Sequence, residues 1–310
     1  MVEDLPKLIV ISGPTCSGKS GLGVELAQLV SGEIINADSM QVYRGMDIGT
    51  AKIPVSERKG IPHHLVDIVS PDEEFNAALF RQHALTIIKE LYEKNVPIIV
   101  IGGTGLYVKA LLGGLFEAPP SEPALRQALL EEWEKRGPTF LYQRLSRLDK
   151  DAADSIHPMD KLRITRALEV IHLTGCPLSE LTKRHGFSDR RFRALNLCLN
   201  VDRQVLYKRI NKRSISMISA GLIAEVEGLL QMGYSPKLKP MKAIGYRHII
   251  GHLKGTWDLD EAKRLMQRDT RRYAKRQLTW FGADPEITWV DPDDKPGIVN
   301  MVMAFIRTTS

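Results

Sequence analysis

The clearest chemistry in this chain lies in Ser12-Gly13-Pro14-Thr15-Cys16-Ser17-Gly18-Lys19-Ser20, between a short apolar run and a helical stretch. In that context G-x-x-x-x-G-K-S reads as a phosphate loop. Its glycines let the backbone wrap so that N–H groups and the positive end of the next helix face one anion. Lys19 adds a point charge, and the Ser20 hydroxyl suits Mg²⁺ carried on a phosphate. The competing reading is a chance glycine-rich turn, and the strand–loop–helix context speaks against it. Hydrolysis does not follow from the loop alone. A nucleoside triphosphatase usually ends a second apolar strand in a metal-holding carboxylate, whereas Ile98–Ile101 runs into Gly102-Gly103-Thr104-Gly105. That second glycine turn suits close approach by a ligand, or is simply a helix entry capped by Thr104.

Two further groups belong with the loop. Asp38 follows the strand-like Glu33–Ile35; beyond a strand's C-terminal end it faces the crevice of an open parallel sheet. There it would orient Mg²⁺, bind a substrate donor or act as a general base; alternatively it caps the next turn. Arg209 and Arg213 are four residues apart, on one helix face, placed to neutralise a leaving group or to form a solvated basic surface.

These residues need a scaffold, and its pattern is legible. Short β-branched runs at Lys7–Ile11, Glu33–Ile35 and Ile98–Ile101 alternate with helical stretches at Gly18–Val30 and Asn76–Lys94. That alternation predicts a parallel sheet covered on both faces. Ala118-Pro119-Pro120-Ser121 breaks it, and the chain then reads as helices until strand character returns at Arg193–Val201. The expected organisation is a discontinuous core, residues 1–120 and 191–310, with an all-helical insertion at 121–190. The rest is mainly helical to Phe281; the proline-bearing tail beyond it reads as loose, apart from a possible short helix at Ile298–Ile306. No internal repeat or low-complexity tract interrupts this plan.

Composition narrows the function. The chain has 310 residues, with 43 Lys+Arg against 37 Asp+Glu and a net charge of +6. No apolar run reaches the roughly 20 residues of a membrane span, and the acidic start Met1-Val2-Glu3-Asp4 has no secretory pattern. Cys16, Cys176 and Cys198 lack metal-ligand spacing, so reduced thiols in the cytoplasm are expected. The charge is uneven: residues 1–119 hold 10 Lys+Arg and 14 Asp+Glu, and residues 120–310 hold 33 and 23. The basic part is either a solubility device or a surface for a polyanion. Within Glu261–Phe281, Arg264, Arg268, Arg271 and Lys275 fall on one helical face with Arg272 and Arg276 beside it. Ala262, Met266, Tyr273 and Trp280 are left to pack on the other.

Taken together, the motifs resemble those of the bacterial tRNA dimethylallyltransferases over nearly the whole chain. They stand here as GPTCSGKS (13–20), NADSMQVYRGMDIGTAK (36–52), PHHLVDI (62–68), GGTGLY (102–107), HPMDKLRITRALEV (157–170), TGCPLSEL (174–181), AIGYRH (243–248) and TRRYAKRQLTWF (270–281). The resemblance implies an α/β fold like that of the phosphate-loop NTPases, with an inserted helical domain and a basic helical C-terminal part. The implied reaction moves a dimethylallyl group from dimethylallyl diphosphate to N6 of the adenosine 3′-adjacent to a tRNA anticodon, with Mg²⁺. By the same resemblance, Gly13 to Ser20 (Gly13, Pro14, Thr15, Cys16, Ser17, Gly18, Lys19, Ser20) bind diphosphate, Ser20 also meeting the metal. Asp38 is the base, Arg213 assists the leaving group, and Asp38, Ser39, Met40, Gln41 and Thr104 meet the target adenosine. Arg126 and the run Leu162, Arg163, Ile164, Thr165 and Arg166 fall where the family contacts tRNA, although position 162 usually carries Gln. Arg268, Arg271, Arg272 and Lys275 are expected on tRNA phosphates. The expected partners are the anticodon stem-loop and the diphosphate, with no membrane, and the expected assembly is a monomer. A nucleotide or small-metabolite kinase, or an isopentenyltransferase acting on free adenine nucleotides, shares part of this pattern. A non-enzymatic RNA-binding module does so less well, because Lys19, Ser20 and Asp38 are all present.

Overall fold

The computed structural model describes residues 5–116 and 119–308; the acidic start and Ala118 of the proline break lie outside them. In chain order the elements are β1 (Lys7–Ser12), α1 (Lys19–Val30), β2 (Glu33–Asn36), β3 (His63–His64), α2 (Ala77–Glu93), β4 (Ile98–Gly102) and α3 (Gly105–Gly113). Five helices follow: α4 (Pro123–Arg136), α5 (Pro138–Leu148), α6 (Lys150–Ser155), α7 (Lys161–Thr174) and α8 (Leu178–His185). The chain ends with β5 (Arg193–Leu199), α9 (Arg203–Ser219), α10 (Leu222–Gln231), α11 (Tyr246–Leu253), α12 (Leu259–Gly282), β6 (Thr288–Val290) and α13 (Lys295–Arg307).

All six strands form one parallel sheet in the order β3-β2-β4-β1-β5-β6. β1 and β4 lie inside it and are apolar without alternation, because both of their faces are covered. Ile9, Ile11, Ile99 and Ile101 pack on one side with Leu22 and Leu26 of α1; Leu8, Val10, Ile98 and Val100 pack on the other with Phe80, Ala84 and Ile88 of α2. Asn76 caps α2 by accepting the N–H groups of Ala78 and Leu79 at 3.0 Å each, and Asp258 caps α12 by accepting that of Glu261 at 2.7 Å. These caps start the helices where the sequence demands them.

The chain divides into two compact units, residues 1–112 with 191–310, and residues 113–190. The second has its own small core: Leu129, Leu141, Leu145, Ile164 and Ala167 are buried together, with Trp133 at its edge. No helix among the described residues is long and apolar enough to cross a membrane.

The expectation of a loose tail is corrected. β6 pairs with β5 through Leu197–Thr288, Cys198–Trp289 and Leu199–Val290. Ile298 and Val302 of α13 are fully buried in the α1 side of the core, and Lys7 donates to the Ile306 carbonyl at 2.8 Å. The prolines end earlier elements and admit α13, in which Pro296 occupies the first turn.

Candidate active site

The site is assembled at the C-terminal ends of β1, β2 and β4. The phosphate loop leaves β1 and turns into α1 through Gly18, whose φ of +99° only glycine adopts at little cost. No side chain caps α1 and its first turn holds no acid, so its leading N–H groups stay open to an outside anion. The Ser17 hydroxyl is buried in the loop without a partner. Cys16 takes the left-handed conformation, at φ 67°, and packs against Val201, Leu206, Ile210 and Ala274. Burial pushes its thiol up, against the opposing influence of Arg213. Cys16, Cys176 and Cys198 are free thiols.

Lys19 donates to the Pro14 carbonyl at 2.7 Å. Burial lowers its ammonium to about 8, with Asp38 pulling the other way and Arg213 adding to the depression. Arg213 donates to the Thr15 hydroxyl. Gln277 of α12 ties the loop to the neighbouring turn: its Oε1 accepts the Thr15 N–H at 2.9 Å and its Nε2 donates to the Gly103 carbonyl at 2.8 Å. The second glycine turn is thus packed first by the protein. A Cβ on Gly103 would fall 2.4 Å from Gln277 Nε2, and one on Gly105 would fall 2.1 Å from the Trp280 ring. Gly102 and Gly103 nevertheless line the cleft above the loop.

Two cavities meet at Asp38. The first, of about 350 Å³, is floored by Thr15–Ser20 and walled by Asp38, Gln41, Arg209, Arg213, Tyr273 and Gln277. The second, of about 280 Å³, is more apolar and is lined by Ser39, Met40, Met217, Ile244, Met266 and Tyr273, with Lys242 and Arg247 among its residues. Thr15, Asp38, Thr50, Arg213 and Tyr273 belong to both. Asp38 Oδ1 accepts the N–H groups of Met40 at 2.8 Å and Gln41 at 3.3 Å, so the turn-capping reading holds for one oxygen. Oδ2 has no partner among the described residues and is left for chemistry.

Thr104 lines neither cavity. Its hydroxyl accepts the Ser39 N–H at 3.1 Å and donates to the Ser39 hydroxyl at 3.4 Å, so it braces the Asp38 turn. The opposite wall is pinned from α10. Glu225 accepts the N–H groups of Asp47, Ile48 and Gly49 at 2.9, 2.7 and 3.0 Å, and the Tyr246 hydroxyl at 2.6 Å. Thr50, next in the chain, is held at its carbonyl by Gln41 Nε2 at 3.2 Å.

Of the residues expected on RNA, Arg268 and Arg272 lie beside Asp269, Arg271 donates to Asn211 Oδ1 at 2.6 Å, and Lys275 is exposed. The run in α7 is narrowed by the structure. Ile164 and Thr165 are buried in the core of their own unit, because five consecutive helical residues cannot share one face. Leu162 is 63% exposed and Arg163 is exposed beside Asp160 at 3.4 Å, but Arg166 is committed to Glu169 at 2.7 Å and to the Pro119 carbonyl at 2.9 Å. Arg126 points its guanidinium at Ser121, 3.4 Å away. Sequence reasoning placed Trp280 in the packed face, yet it is 39% exposed. It passed over Tyr273, Gln277 and Glu225 as site residues. The available signal for Gln277 was a polar residue on the buried stripe of α12, one turn before Phe281.

The donor set fits a cation that rides on a diphosphate rather than one caged by protein. Among the described residues no three His, Cys, Asp or Glu cluster as ligands, while the Ser20 hydroxyl and the open Asp38 oxygen face the phosphate cleft, as suits Mg²⁺.

The chain is similar to known proteins over nearly its whole length. The IPP transferase family is matched over residues 41–284 and the isopentenyl transferase family over residues 6–68. A tRNA dimethylallyltransferase 2 of Syntrophus aciditrophicus is 50% identical over 302 residues, 97% of each chain, and a tRNA dimethylallyltransferase of Geobacter sulfurreducens is 50% identical over 300 residues, 96% of each. Among solved structures, the full-length tRNA isopentenylpyrophosphate transferase of Bacillus halodurans superposes with a TM-score of 0.72 at 39% identity over 97% of both chains. A eukaryotic dimethylallyltransferase acting on tRNA gives 0.82 at 30% identity, covering 97% of this chain and 79% of its own.

Proposed function

From the premise that the chain belongs to the tRNA dimethylallyltransferase family, we propose that it transfers the dimethylallyl group of dimethylallyl diphosphate to N6 of the adenosine 3′-adjacent to a tRNA anticodon. The observation that carries the reading is the position of Asp38, with one oxygen locked and one open, where a phosphate-floored cavity meets an apolar one.

The diphosphate lies on the open N–H groups of the loop and of α1, with Lys19, the Ser17 hydroxyl and Arg213 around it. Mg²⁺ would be held by Ser20 and diphosphate oxygens, and when bound it supplies positive charge against the leaving group. The allylic carbon then stands at the junction, and the adenine enters the second cavity. Its exocyclic nitrogen is a poor nucleophile, so it has to be held against that carbon and deprotonated as the bond forms. The C–N bond forms as the C–O bond breaks. Asp38 Oδ2 takes the amine proton, and the diphosphate leaves with the bonding pair, stabilised by Lys19 and Arg213. Turning the base out of its stack costs a few kcal/mol, less in a single-stranded loop. The positive face of α12 and the exposed Leu162 and Arg163 of α7 serve the remainder of the RNA. The scheme is completed by a monomer working in the cytoplasm, where such a substrate and free thiols coexist.

The test is to incubate the protein with Mg²⁺, dimethylallyl diphosphate and unmodified tRNA and to weigh the nucleosides. Isopentenyladenosine in the tRNA is expected. Its absence, together with phosphate transfer from ATP to a small acceptor, would refute the proposal, and prenylation of free adenine nucleotides alone would replace it.

A further inference from the structure

The two cavities of the site share Thr15, Asp38, Thr50, Arg213 and Tyr273, and among the described residues Tyr273 is the one aromatic side chain that lines either of them. α12 puts it there by helical spacing. Met266, Thr270 and Tyr273 line the second cavity, and Tyr273 and Gln277 the first. One stripe at i, i+4, i+7 and i+11 therefore runs past both and crosses from one to the other at the ring. Its neighbours on the helix are fixed: Gln277 is bonded to Thr15 and Gly103, and Ala274 is packed with Cys16.

The other shared groups are polar. The Thr15 hydroxyl accepts from Arg213, and the Thr50 hydroxyl donates to the Met46 carbonyl at 2.6 Å. As the donor's C–O bond lengthens, negative charge collects on the departing oxygen and positive charge on the allylic carbon. Lys19 and Arg213 stabilise the oxygen, and the same charges oppose the carbon. Asp38 gives up its charge as it takes the amine proton. The Tyr273 ring is left as the group with neither charge nor proton to lose. An aromatic face is negative and attracts a cation, more strongly where water is excluded. Burial first, then the Asp38 carboxylate, push its hydroxyl up, so the phenol stays neutral and is a poor rival nucleophile. Arg276 stands over the ring at 5.8 Å from its centroid, but it is exposed, and water weakens that contact.

We propose that the Tyr273 ring is the contact that stabilises the donor's allylic carbon while it is positive, and that it keeps water from that carbon. This rests on the reading that places the carbon at the junction of the cavities. In transfer, the C–O pair leaves with the diphosphate, the amine supplies the pair of the C–N bond, and its proton goes to Asp38. Without the ring, water supplies that pair instead and passes its proton to Asp38, giving dimethylallyl alcohol and diphosphate.

The test places Phe, and Phe carrying one, two or three ring fluorines, at position 273 of the full chain and compares them with Tyr273→Leu. Fluorine drains negative charge from the ring face and nearly keeps its shape. Single-turnover transfer to a synthetic anticodon stem-loop should survive in Tyr273→Phe and then fall with each fluorine, by about 2- to 30-fold in all, the range of a cation–π contact. Kd for inorganic diphosphate, Kd for the stem-loop and the melting temperature should stay level across the series. Tyr273→Leu should release dimethylallyl alcohol, and Tyr273→Phe should not. Equal rates across the fluorine series would overturn the proposal. So would a Tyr273→Phe as slow as Tyr273→Leu, which would assign the hydroxyl rather than the ring. Rates that fall only in step with diphosphate affinity or melting temperature would overturn it in favour of packing alone, and alcohol absent from Tyr273→Leu would remove the part in excluding water. Wild-type protein that transfers nothing to RNA defeats the functional reading itself; wild-type transfer that fluorine leaves untouched defeats only this proposal.

Discussion

Raising the pH should loosen the diphosphate, and Lys19 sets where. With its ammonium lowered to about 8, roughly nine sites in ten are charged at pH 7 and about one in ten at pH 9. Only the charged form meets the phosphate, so the apparent Kd divides by that fraction and should rise about tenfold across the interval. At pH 8 binding should take up close to half a proton. The assay is titration calorimetry with inorganic diphosphate in two buffers of different ionisation enthalpy, run alongside Lys19→Arg, which stays charged and subtracts the ligand's own ionisation. The same group has a stability side. Its pKa in the folded chain lies below the ordinary 10.5, so the native state binds fewer protons than the unfolded one between about 8 and 10.5, and stability rises with pH through that window. Below it, the buried charge costs roughly 3 kcal/mol, a cost the ligand offsets, so Lys19→Met should raise the melting temperature of the empty protein at pH 7. Identical pH dependence of binding in wild type and Lys19→Arg would refute the reasoning.

Other expectations follow from single contacts. Asp38→Asn keeps an oxygen for the Met40 and Gln41 N–H groups, so the turn should survive while transfer slows by about 10² to 10⁴; single-turnover rates and stem-loop affinity measured together check this, and an unchanged rate removes Asp38 as the base. Glu225→Gln gives up part of the bonding to Asp47–Gly49 and should lose about 1–3 kcal/mol; an unaltered denaturation midpoint would mean that the wall at Thr50 is held by something else. Ile298→Ala should cost about 2–5 kcal/mol, visible in urea unfolding, whereas a loose tail would register almost nothing.

Much of this was legible before any coordinates, for physical reasons. The interior strands announce themselves because strands covered on both faces have to be apolar throughout, and the phosphate loop because few residues tolerate its backbone. β3 and β6 escape such reading. His63–His64 is two residues long, and in Thr288–Val290 only Val290 is buried, so their strand character comes from the neighbour they pair with. Asp38 was readable as a residue facing the cleft, but its division into a locked and an open oxygen was not, since that depends on where the Met40 and Gln41 N–H groups turn. The gathering of Arg247 and Arg268 around Asp269 was hidden for another reason: they lie 22 residues and one residue away in sequence, and helix periodicity places Asp269 on a basic face where it reads as a lone exception. Ile164 and Thr165 show the opposite error, in which a motif carried over whole overlooks the inward half of a helix.

Gln277 gives α12 a role that neither end of the helix shows by itself. It grips the phosphate loop and the Gly103 turn, while eight residues earlier, about 12 Å along the axis, Asp269 gathers the arginines. If the diphosphate lies on the loop and the RNA on the basic face, one rod touches the seats of both, and their affinities are expected to be coupled. Linkage makes such coupling symmetric: whatever factor the small substrate adds to RNA affinity, the RNA returns to the small substrate. Cutting the rod's grip on the loop with Gln277→Ala should bring that shared factor toward one while leaving each partner a place to bind.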